Sequence, residues 1–140
     1  MTGSRYPRID QVVLDTMDAR ALAEFYRAFF GLEYRPGDEP PPAGEPDPAG
    51  QDWLVLRNPG GSDLAFQQVE SLPVSTWPAA DVPQMLHLDT VVPDAEALAQ
   101  AHDRALELGA RLLLDRSDDP AEALYVFADP AGHPFCVFVG

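Results

Sequence analysis

The sequence predicts an α+β domain built from two βαβββ modules, and three observations predict it. The first is an internal duplication: residues 10–23 and 86–99 align without a gap at an offset of 76. The second is a later pair of matching segments, Trp53 to Gly61 over Leu124 to Gly132, at an offset of 71. The third is pattern. Each copy carries an alternating run, a turn with an aspartate, an Ala/Leu helix and further alternating runs. Two copies are too few for an open solenoid, whose stacked repeats need neighbours or caps. A single closed domain over 1–140 is expected, with modules at about 7–71 and 84–139 joined by a crossover at 72–83. Its chemistry belongs where the modules meet.

The elements follow in order. Ile9 to Asp15 reads as a strand whose alternation puts Gln11, Val13 and Asp15 on one face and Asp10, Val12 and Leu14 on the other. Asp18 is placed to cap a helix running to about Phe30, and Leu22, Phe25, Tyr26 and Phe29 follow the spacing of a buried stripe. Gly31 supplies the left-handed residue that ends it, and Leu32 to Arg35 begins the next strand. Pro36 to Pro48 holds six prolines in thirteen residues, so it cannot join a ladder. It reads as an exposed excursion, with a lid over the site as the functional alternative. In the crossover, Trp77 packs either on the body of the domain or on a ligand. Module two repeats the design. Asp94 caps, Leu98, Ala101, Ala105 and Leu108 line the packed face, and Gly109 stops the helix before Ala110 to Leu114.

Composition bounds the partners. With 140 residues, 46% of them hydrophobic, the chain can bury one sizeable core and leaves no length for a second domain. A formal charge of −14 argues against nucleic acid or an anionic membrane surface, and suits a solvated acidic surface or a cationic ligand. No apolar run approaches membrane-spanning length. Arg5 and Arg8 precede no apolar segment of the secretory kind, and the lone Cys136 cannot form an internal disulfide. A cytoplasmic location is expected. There is no GxGxxG, P-loop, CxxC, HExxH or nucleophile elbow.

Ala23-Glu24-Phe25-Tyr26 followed by Phe30-Gly31-Leu32, then Met85-Leu86-His87-Leu88, Leu108-Gly109-Ala110 and Asp129-Pro130-Ala131-Gly132-His133-Pro134-Phe135, resemble the vicinal oxygen chelate superfamily. That superfamily includes glyoxalase I, bleomycin-resistance proteins and extradiol dioxygenases. The resemblance spans nearly the whole chain. It implies a cup-shaped eight-stranded mixed sheet, helices on its convex side, and frequent pairing into homodimers.

The resemblance also implies positions for a divalent metal such as zinc, nickel, manganese or iron. They map to Gln11 and His87 on the first strands, and to Ala65 or Gln67 and Cys136 on the last. The family usually has glutamate at the place of Cys136, and no carboxylate occupies either last-strand position here. His87 suits such metals, Gln11 offers a neutral oxygen and Cys136 a soft sulfur. Each also has a bland reading: a polar pocket residue, a strand amide, a small buried hydrophobe. His133 reads as part of a turn and His102 as a solvated helix residue. Asp15 and Asp89 share the parity of Gln11 and His87, and suit solvated strand ends equally well.

Two functional readings follow. In the first, no metal or other cofactor is bound. The protein then holds a small molecule, sequestering a neutral or cationic aromatic compound such as an antibiotic. Gln11, Val13, Gln67, His87, Asp89, Cys136 and Phe138 are its candidate ligand-binding residues. In the second, a metal held by Gln11, His87 and Cys136 acts as Lewis acid in a glyoxalase-like lyase, isomerase or dioxygenase. The missing glutamate favours the first.

Overall fold

Asp18 and Asp94 start the two helices of the computed structural model, which describes residues 5–140. Asp18 Oδ1 accepts from the Ala21 amide at 3.0 Å, and Asp94 Oδ1 from Ala97 at 2.8 Å. These bonds satisfy donors that the first helical turn leaves free. Helix α1 spans Ala19–Phe30 and closes on Gly31 at φ 67°, the conformation glycine reaches without strain. Helix α2 spans Ala95–Glu107. Among the described residues no helix is long and apolar enough to cross a membrane.

Eight strands surround them: β1 Gln11–Thr16, β2 Glu33–Tyr34, β3 Trp53–Arg57, β4 Asp63–Gln68, β5 Leu88–Val92, β6 Arg111–Arg116, β7 Leu124–Ala128 and β8 Pro134–Val139. Each module is therefore βαβββ, as expected. Its sheet has the order β1-β4-β3-β2 in the first module and β5-β8-β7-β6 in the second. First and last strands run parallel, and the remaining neighbours antiparallel. The internal repeat extends to register: Val13 faces Ala65 across β1 and β4, and their repeat equivalents Asp89 and Cys136 face each other across β5 and β8.

The eight strands are hydrogen-bonded as two four-stranded sheets rather than one continuous sheet, and β1 and β5 are the edges of separate sheets. The modules are joined instead through side chains. Tyr26 of α1 stacks on Phe66 of β4 at 6.0 Å between ring centres and meets Phe135 of β8 edge-on at 5.9 Å. Phe25 and Phe29 also reach Phe135. One apolar core thus takes in residues of α1, α2 and both sheets. Each fully buried aromatic contributes roughly 1.5–3 kcal/mol by leaving water. Cutting the chain at the crossover would expose that shared surface.

The proline-rich segment is docked on α1. Arg20 grips Asp47 through Nε and Nη2 at 2.8 and 2.9 Å, and its Nη1 donates to the Asp38 carbonyl at 2.7 Å. Its guanidinium also lies 5.1 Å from the centre of the Tyr34 ring. Asp38, itself buried, accepts from the Val55 amide at 2.9 Å and so ties the segment to β3. None of residues 36–48 lines any of three cavities formed by the described residues.

Candidate functional site

Strand parity builds a cavity on the second sheet. Leu88 and Val92 of β5 pack into the core with Phe135 and Val137 of β8, so Asp89 and Val91 must face the other way. Register then lays two rows across the open face of the second sheet: Asp89, Cys136, Val126 and Leu114, and next to it Val91, Phe138, Leu124 and Arg116. A bulge between Leu112 and Leu114 lets β6 keep Leu114 in its row. His87, just before β5, is joined by Trp77 of the crossover, by Gln84 just after it and by Glu122. They enclose a cavity of about 320 Å³.

Its chemistry is an apolar floor under an acidic rim. Leu114, Leu124, Val126, Phe138 and Trp77 supply the apolar surface, and Asp89 and Glu122 carry carboxylates. His87 Nε2 stands 3.1 Å from Asp89 Oδ1. Arg116 is turned to Asp119 at 2.8 Å, and this bond, with the Ala121 and Glu122 amides, holds the Asp119 carboxyl below its usual value. Burial first, then the charges of Asp89 and Glu122, push the Cys136 thiol up to about 11. At neutral pH Cys136 is a protonated thiol and a poor nucleophile.

A second cavity, of about 510 Å³, lies where β1 and β4 approach the crossover and the turn at residues 131–134. Val13, Asp15, Gln67, Gln84 and His133 line it, with Leu72, Pro73, Pro83 and Met85 as apolar walls. The sequence-derived candidates are thus distributed. His87, Asp89, Cys136 and Phe138 meet in the first cavity, and Val13 and Gln67 in the second. Gln11 lines none of the three cavities; its ladder partner is Asp63, which is engaged by Arg57 at 3.2 Å. With β1 and β5 in separate sheets, equivalent positions need not share a concavity. Sequence reasoning left out Gln84, Leu114, Arg116, Glu122, Leu124 and Val126. The parity of Leu124 and Val126 could have found those two, because they alternate with the core residue Phe127 and with Tyr125. His102 is half-buried, its ring 4.6 Å from that of Tyr125.

The donor set does not fit a divalent metal. Among the described residues no group of three or more His, Cys, Asp or Glu side chains stands close enough to hold one. Gln11 lies outside the cavity that His87 and Cys136 share.

The sequence profile of the glyoxalase-like domain matches residues 11–138. The chain belongs to the glyoxalase-like domain family. This agrees with the resemblance to the vicinal oxygen chelate superfamily carried by its two modules. Among solved structures it is similar to a glyoxalase/bleomycin resistance protein/dioxygenase family enzyme from Burkholderia phytofirmans PsJN. That likeness has 18% identity and a TM-score of 0.69, over 95% of this chain and 98% of the other. A glyoxalase/dioxygenase from Nostoc punctiforme gives 18% and 0.68, over 99% and 97% of the two chains. A lactoylglutathione lyase from Agrobacterium tumefaciens gives 20% and 0.60, over 98% and 96%. At these identities the likeness shows the fold. No curated protein matches the chain.

Proposed function

We propose that this glyoxalase-like protein binds and sequesters a small molecule, neutral or cationic, with a flat apolar body, in the cavity on the open face of the second sheet. The observation that carries the reading is the pairing of an apolar floor with carboxylates at its edge. Leu114, Leu124, Val126 and Phe138 come from three neighbouring strands, while Asp89 and Glu122 stand beside them and Arg116 is engaged by Asp119. Burial of the ligand's body supplies most of the affinity, and polar groups fix its orientation. A cavity of about 320 Å³ takes a bicyclic or tricyclic ring system. The donors present do not suit a divalent metal.

A charge series tests this. N-methylquinolinium, quinoline and 2-naphthoate are matched in size and differ in charge. In Trp53→Phe, the remaining Trp77 reports from the cavity wall. The expected order of affinity is quinolinium, then quinoline, then naphthoate. Tighter binding of naphthoate would defeat the reading, as would silence of all three.

A further inference from the structure

The imidazole of His133 is held more firmly than its turn requires. The turn from Asp129 to His133 closes without the ring: Gly132 donates to the Asp129 carbonyl at 2.8 Å, and the side-chain Asp129 Oδ1 accepts from the Ala131 and His133 amides at 2.9 and 3.0 Å. The equivalent turn of module one has Ser62 at the matching position and needs no ring. Yet His133 Nδ1 also lies 3.0 Å from Asp129 Oδ2 and 3.2 Å from Oδ1. That carboxylate has no exposed side-chain surface and is fixed from behind by the Tyr26 hydroxyl at 2.7 Å. With Nδ1 turned to Asp129, Nε2 is the ring nitrogen left for a ligand, and His133 lines the cavity between β1 and the crossover.

A second, independent feature stands in the same wall. Gln84 Oε1 is buried and has no hydrogen-bond partner among the described residues. A buried acceptor without a donor is costly, which makes this carbonyl a polar group of the wall still in want of a partner. Asp15 adds a carboxylate to the same lining, and Leu72, Pro73, Pro83 and Met85 add apolar surface. Acceptors and an anion set in an apolar cavity select a hydrophobic molecule that carries N–H donors.

We infer that this cavity of about 510 Å³ is a second ligand site, taking an arylalkyl amine whose ammonium meets the acceptors of His133, Gln84 and Asp15 while its hydrocarbon lies on the crossover. The inference goes beyond the proposed function and does not require the first cavity to be filled. Gln84 lines both cavities, so the two sites share one wall.

The test titrates the full chain with 4-phenylbutylamine and follows the histidine ring nitrogens by NMR alongside calorimetry. Saturable binding that moves the Nε2 resonance of His133 is expected. Val13→Trp, which fills this cavity from β1, should weaken the amine by about tenfold or more and leave the response to N-methylquinolinium unchanged. Size-matched 5-phenylvalerate should bind more weakly than the amine. Absence of amine binding to the wild-type chain, binding without a His133 shift, or tighter binding of the valerate would overturn the site. Should Val13→Trp fail to fold, the His133 shift in the unaltered protein decides alone. Failure of N-methylquinolinium to bind would strike the proposed function and not this one.

Discussion

The Tyr26 hydroxyl donates to Asp129 Oδ2 at 2.7 Å, joining residues 103 positions apart and tying α1 of the first module to the last turn of the second. Both groups are buried, and burial together with the Asp129 charge raises the Tyr26 hydroxyl well above its usual value, so it remains a donor. Asp129 also serves the Ala131 and His133 amides and the His133 ring. Tyr26→Phe removes one donor and should cost about 1–3 kcal/mol. Asp129→Ala strands several donors at once and should cost more. Chemical denaturation measures both, and a Tyr26→Phe variant as stable as wild type would refute the tie.

Cys136 gives a prediction in alkali. Its thiol is raised to about 11, first by burial and then by Asp89 and Glu122. Alkylation by iodoacetamide should therefore be slow at neutral pH and rise with a midpoint near that value. Asp89→Asn should move the midpoint down by removing one of the charges. The folded value exceeds that of an unfolded thiol, about 8.5. The resulting stability is whole below the unfolded value and is lost as pH rises through the folded one. Rapid alkylation at pH 7 would show that the thiol is not protected.

The Arg20–Asp47 pair should govern the proline-rich segment. The hydrogen bond from Arg20 holds the Asp47 carboxyl below its usual value. Its contribution is present above the unfolded value of about 3.9 and is lost as pH falls through the lower folded one, so the segment stays docked at neutral pH. Asp47→Asn leaves Arg20 a neutral acceptor and should cost about 1 kcal/mol. The amide of Gly50, which donates to Asp47 Oδ1 at 3.0 Å, should then exchange faster. Unchanged exchange at Gly50 would mean that other contacts carry the docking.

Much of this arrangement can be read in the residues themselves. Asp18, Gly31 and Asp94 mark helix ends through local chemistry, and the apolar stripe of α1 is a matter of spacing. The gapless repeat extends even to register, because Val13 opposite Ala65 and Asp89 opposite Cys136 are one pairing written twice. What the repeat cannot convey is how two sheets meet. Gln11 and His87 are equivalent in sequence, yet their strands edge different sheets and Gln11 pairs beside Asp63. Trp77 in the crossover and Gln84 just after it lie in chain without periodicity, so their place in the cavity wall depends on tertiary packing. The docking of residues 36–48 rests on Arg20 of α1 and on the Val55 amide of β3, and prolines alone do not reveal either.

The most direct measurement is calorimetric titration of N-methylquinolinium into the wild-type protein and into Leu114→Trp, whose indole would occupy the floor of the cavity on the second sheet. Leu114 is half-buried and sits in the row of Asp89, Cys136 and Val126, so the larger ring intrudes into the cavity rather than the core. The account predicts saturable binding to the wild type and a loss of about tenfold or more in the variant, with the fold intact by circular dichroism. Equal affinity for the two proteins, or no binding to the wild type, would contradict it.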